Sequence, residues 1–195
     1  MATNERPLLR FGVDDLKLKH PFSWIVEGGR RTGKTQFVKN VILARDRIIT
    51  PSIENIIWFY ASAQEEVFRE IRESMGEHRV EYVKGLPEGE IDETYLQSRY
   101  GTKLVVIDDQ MSEANKRQDV NDLFTRGRHE NTSVILLVQN FHNSGKFMRE
   151  NSLNATGSKP FSYLFLDYRA DTPDALRLRN DILAPYPRFF VELYK

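Results

Sequence analysis

The sequence has no cysteine among its 195 residues, which excludes disulfide staples, thiolate zinc sites and cysteine nucleophiles. Any metal must then be held by oxygen ligands or histidine, and no two of the 4 histidines stand at metal-binding spacing. No sign of charge dominates either. With 28 Lys plus Arg against 28 Asp plus Glu, the formal net charge is zero at pH 7. That rules out a bulk polycation coating nucleic acid or acidic membrane, although a local basic patch stays open. Long hydrophobic runs are also missing. Glu5, Arg6, Arg10, Asp14, Asp15, Lys17 and Lys19 interrupt the first twenty residues, so neither a signal-peptide core nor a membrane-spanning segment is expected there. Nothing later reaches spanning length, and a soluble protein is expected. Internal repeats and low-complexity tracts are absent.

What is present is an alternation of short apolar runs with longer amphipathic stretches. Strands are predicted at Phe22 to Glu27, Asn55 to Ala61, Val80 to Val83, Leu104 to Ile107, Ser133 to Val138, Ser162 to Asp167 and Phe189 to Leu193. Helices are predicted at Thr35 to Arg45, Gln64 to Met75, Ile91 to Ser98, Asn115 to Arg126 and Pro173 to Leu183. The last would be capped by Asp171 or Thr172, with Pro173 in the first turn. Near-continuous apolar strands separated by helices imply an α/β fold with a mainly parallel central sheet flanked by helices. The acidic stretch Leu86 to Glu93 reads as a solvated loop and helix start, and Asn143 to Lys159 as the longest irregular segment. No linker divides the chain. A single domain over 1–195 is expected, with an N-terminal extension at 1–20, a motif-bearing core at 21–170 and a C-terminal helix and strand at 171–195.

The sharpest local signal is Gly28-Gly29-Arg30-Arg31-Thr32-Gly33-Lys34-Thr35, a complete G-x-x-x-x-G-K-[ST] pattern, or Walker A motif. It follows an apolar run and precedes an amphipathic segment, the order its chemistry requires. Gly28 and Gly33 allow the backbone to close around phosphate, Lys34 meets the β and γ phosphates, and the Thr35 hydroxyl is a ligand for Mg2+. The expected nucleotide-binding set is Gly28, Gly29, Arg30, Arg31, Thr32, Gly33, Lys34, Thr35 and Gln36. An ordinary glycine turn before a helix is the plain alternative.

A second signal ends the apolar run Leu104-Val105-Val106-Ile107 with Asp108-Asp109, as in a Walker B motif. Two adjacent carboxylates on a buried strand are costly without a cation. Asp108 is therefore assigned to Mg2+ and Asp109 to polarising the attacking water, a strand ending at a solvated Asp-Asp turn being the plain alternative. A third run, Ser133 to Val138, ends at Gln139. That amide is either a sensor of the γ phosphate or a residue that only terminates the strand. Arg126, Arg128 and Arg149 are candidate arginine fingers, a role that most exposed arginines do not have. His129 reads as structural.

Together these motifs resemble the poxvirus-type genome-packaging ATPases of the FtsK-HerA superfamily, with relatives in large DNA viruses, virophages and Polinton-like elements. The resemblance rests on Gly28 to Thr35, Leu104 to Gln110, and Phe124-Thr125-Arg126-Gly127-Arg128-His129 running into Ser133-Val134-Ile135 and Gln139-Asn140. Arg149 to Asn154 and the run Tyr163 to Leu166 extend it across roughly 20–170. It departs from the superfamily at Asp109, where many members carry Glu, and at Gly157-Ser158-Lys159-Pro160, which looks inserted.

The resemblance implies a RecA-like P-loop NTPase that uses ATP and Mg2+. It further implies a homo-oligomeric ring, pentameric or hexameric, that drives double-stranded DNA into a preformed capsid and docks on capsid or portal-vertex proteins. Its site of action would be where virions assemble, in host cytoplasm or nucleus, with virion association open. Lys146, Arg149, Lys116 and Arg117 are candidates for a basic pore lining. A P-loop nucleotide or nucleoside kinase and a nucleotide-gated capsid morphogenesis factor are the rival readings.

Overall fold

Near-continuously apolar strands need cover on both faces, and the inner strands of the sheet receive it. A computed structural model of the chain describes residues 16–91, 95–96, 100–108, 117–126, 131–139, 165–167, 172–173, 176–184 and 187–189. Within these, β1 (Leu18–Lys19) is followed by β2 (Ser23–Glu27), α1 (Lys34–Leu43), α2 (Arg45–Ile48), β3 (Ile49–Thr50) and β4 (Asn55–Tyr60). Next come α3 (Glu65–Met75), a 3-10 turn (Glu77–Arg79), β5 (Val80–Lys84), β6 (Lys103–Asp108), α4 (Gln118–Arg126) and β7 (Thr132–Val138). The last described strands are β8 (Phe165–Leu166), β9 (Leu178–Asn180) and β10 (Arg188–Phe189).

Five strands form one parallel sheet in the order β2-β7-β6-β4-β5. Side chains alternate across it. Ile56, Trp58, Leu104, Val106, Ile135 and Leu137 share one core with α1 and α3, whereas Ile57, Phe59, Val105, Ile107 and Val134 share the other with Ile91, Leu96, Val120 and Leu123. Helix α3 buries Val67, Phe68, Ile71 and Met75, a single stripe at helical spacing. Its N–H ladder ends at Gly76, where φ is 92°, a left-handed value that favours glycine. The helices α1 and α3 are joined by the Lys39–Glu70 ion pair at 2.7 Å. This is an α/β fold of RecA-like type: the mainly parallel sheet is the one the apolar runs imply, and the RecA-like type is the one the family resemblance implies.

The C-terminal part departs from expectation. Over Pro173 to Leu183, predicted as a helix, the described residues form an irregular turn and then strand β9, which pairs antiparallel with both β8 and β10. Tertiary contacts override the local helical pattern. Arg179 is 2% exposed. Its guanidinium meets Asp167 at 3.3 Å and the Leu16 carbonyl at 3.2 Å, and lies over the Phe165 ring. Strand geometry delivers that side chain, and the left-handed φ of 53° at Asp181 ends it in a way no helix continues. The short parallel pair β1–β3 has no counterpart among the predicted strands. Most of the predicted helix Ile91 to Ser98 and of the strand Phe189 to Leu193 lies outside the described residues, as does the first half of the strand Ser162 to Asp167, whose second half holds β8.

His20 ties the segment before β2 to β7. Its Nδ1 lies 2.6 Å from Ser133 Oγ and its Nε2 lies 3.1 Å from both the carbonyl and the side-chain oxygen of Asn131. Ser133 Oγ also accepts the Phe22 N–H at 3.1 Å. Burial lowers the His20 pKa below its ordinary 6.5, with the Lys103 charge acting the same way and the Asn131 bonds opposing. As pH falls through 6.5, the unfolded chain takes up a proton that the folded chain still refuses. Stability is therefore full above that pH and declines below it. Thermal unfolding across a pH series is expected to show this decline, and His20→Gln to flatten it; equal slopes for both proteins would contradict the assignment.

Candidate active site

Parallel strands present their carboxyl ends on one edge, and ligands of open α/β sheets bind there. Gly28 follows β2, Gln139 follows β7, Asp108 ends β6 and Gln64 lies just beyond β4. The sheet thus brings together residues separated by more than a hundred positions.

The glycine-rich loop is shaped by its backbone. Arg31 and Gly33 have left-handed φ values of 61° and 87°, a turn pattern that forms an anion-accepting nest. Gly33 also precedes α1, whose N-terminal end adds a positive partial charge. A Cβ on Gly28 would lie 2.5 Å from Thr32 Oγ1, so any other residue there must displace that hydroxyl. Thr32 Oγ1 holds the turn by donating to the Gly29 carbonyl at 2.9 Å. The Gly28 N–H continues the β2–β7 ladder by donating to the Val138 carbonyl at 3.1 Å. Lys34 folds back over the loop and donates to the Gly28 and Gly29 carbonyls at 2.7 and 2.9 Å.

Thr35 and Asp108 meet at the centre of this edge. Thr35 Oγ1 donates to Asp108 Oδ2 at 3.2 Å, and both residues are 9% exposed. A buried hydroxyl beside a carboxylate is the donor set of a hard divalent cation such as Mg2+, which takes few protein ligands and completes its shell with water and phosphate oxygens. These residues fit the expected cation. Arg30, exposed on the loop, donates from Nε to Gln139 Oε1 at 3.2 Å, joining two residues of the expected site. Gln36 is exposed on the first turn of α1.

Asp109, Arg128 and Arg149 lie outside the described residues, as do Lys116 and Lys146. Arg126 is the last residue of α4, and nothing further is described of it. Arg117 has a different occupation from the expected pore lining. It donates to Asp119 at 3.0 and 2.6 Å and to the carbonyls of Pro87 and Gly89, clamping the acidic loop to the start of α4. The Arg117 guanidinium holds the Asp119 carboxyl down to about 2, against the opposing effect of burial. Asp119 also accepts the Ile91 N–H at 2.8 Å. Gln64, to which its sequence pattern gives no site role, also reaches the centre formed by Thr35 and Asp108: its Nε2 donates to Thr35 Oγ1 at 3.0 Å. Its only local signal is its place at a helix start.

The sheet and its loop-bearing edge define an α/β protein of RecA-like type. The family model described as "Poxvirus A32 protein" matches residues 9–154, well over half of the chain. The chain therefore belongs to the poxvirus A32 packaging ATPase family. Among curated proteins no match is found.

Gly28→Ala is expected to weaken binding of a fluorescent ATP analogue roughly tenfold, while the thermal midpoint stays near that of the parent. Unchanged affinity would show that the loop tolerates the added methyl.

Proposed function

We propose that this chain is an ATP-hydrolysing motor that translocates double-stranded viral DNA into a preformed capsid. The observation that carries the reading is the convergence of Lys34, Thr35, Asp108 and Gln139 on one edge of a parallel sheet, in a member of a packaging ATPase family.

In this reading Gly28 to Thr35 hold the phosphates, with Lys34 leaving its two carbonyl partners for the β and γ phosphate oxygens. Thr35 and Asp108 hold Mg2+, which would neutralise charge developing on the transferred phosphoryl group. Asp109 polarises the attacking water, and the Gln139 amide reports the state of the γ phosphate. Arg126, Arg128 and Arg149 are the residues from which a neighbouring subunit of a ring draws its arginine finger.

Balanced net charge suits such a motor. A translocase must grip and release phosphates in every cycle, and strong global attraction would slow release. Basic side chains are then needed only along the DNA path, with Lys116, Lys146 and Arg149 as candidates. Capsid or portal proteins, at sites of virion assembly in the host cell, supply the anchor.

Purified protein is expected to hydrolyse ATP with stimulation by duplex DNA, and Lys34→Ala to lose roughly a hundredfold or more in rate. Transfer of labelled γ phosphate to a nucleotide without DNA stimulation would instead select a kinase. Tight ATP-dependent assembly with negligible turnover would select a morphogenesis factor.

A further inference from the structure

A threonine hydroxyl has one hydrogen to donate and two lone pairs to accept with. At Thr35 the hydrogen goes to Asp108 Oδ2 at 3.2 Å and one lone pair receives the Gln64 amide at 3.0 Å. A single lone pair is left. We propose that Gln64 is a positioning residue of the metal site: its amide N–H fixes the rotation of the Thr35 hydroxyl, so that the remaining lone pair is presented to Mg2+ bound with nucleotide. This rests on the nucleotide-binding reading above.

The placement of Gln64 supports a dedicated role. It is the residue immediately before α3, where a side chain commonly caps the helix, yet it makes no capping bond. Its amide reaches across to α1 instead. Its backbone is held by the helix behind it, since Gln64 O accepts the Phe68 N–H at 3.0 Å and Phe68 is buried against the sheet. The Lys39–Glu70 pair then keeps α3 at a set distance from the helix that carries Thr35. An amide positioned in this way acts on the cation through its ligand, as partners behind metal ligands do, and their loss commonly costs tenfold or more in metal affinity.

The test measures binding of a fluorescent ATP analogue across a Mg2+ titration, and again in EDTA, for the parent, Gln64→Met, Gln64→Ala and Thr35→Ala. Methionine keeps the length of the side chain and removes the donor. Both Gln64 variants are expected to need roughly tenfold more Mg2+ for half-maximal metal-dependent binding, with affinity in EDTA and the thermal midpoint unchanged. The inference alone is overturned if the parent binds with a Mg2+ dependence that Thr35→Ala abolishes and Gln64→Met leaves untouched. It is also overturned if Gln64→Met loses EDTA binding and thermal stability together, because the amide would then only hold the fold. A parent protein that binds no nucleotide under either condition overturns the functional reading itself.

Discussion

The meeting of Thr35 with Asp108 is the constraint on which the rest of the structure depends. One residue opens a helix and the other closes a strand, and each is nearly buried. A carboxylate in that position is expensive unless it is hydrogen-bonded or neutralised. The fold accepts the cost because β6 is the middle strand of a sheet covered on both faces, and its end can open only where the loop after β2 arrives. Moving β6 by one residue would reverse every side chain along it and turn Asp108 into the packed interior.

The sheet order carries a second consequence. Strand β7 stands between β2 and β6, so whatever follows β7 lies between the loop and the carboxylate. Gln139 occupies that place, bonded to Arg30 on one side. On the other flank of β6, β4 delivers Gln64. Among the described residues, two amides thus border a centre made of one ammonium, one hydroxyl and one carboxylate. One donates and the other accepts, and neither alters the charge balance at the centre.

The parts legible in the sequence are those whose physics is local or repetitive. Continuous apolar runs such as Asn55 to Tyr60 reveal doubly covered strands, and the Gly28 to Thr35 spacing reveals the loop because the chemistry tolerates little variation. The amphipathic stripe Val67, Phe68, Ile71, Met75 reveals its helix in the same way. What escaped depends on partners distant in the chain. Residues 173–183 carry a plausible helical pattern, but Arg179 is needed beside Asp167, and only a strand brings it there. Gln64 looks like any polar residue before a helix until the sheet sets it beside Thr35, 29 positions away. Arg117 reads as a candidate for a basic pore lining, whereas its guanidinium is taken up by the Pro87 and Gly89 carbonyls and by Asp119.

The bond from the Gly28 N–H to the Val138 carbonyl involves no side chain at all. The first residue of the loop and the peptide just before Gln139 are therefore fastened by main chain alone, through a donor that only proline lacks. A displacement of the loop pulls directly on the root of the amide that faces it. The path from the loop to the Gln139 backbone thus consists of peptide groups only.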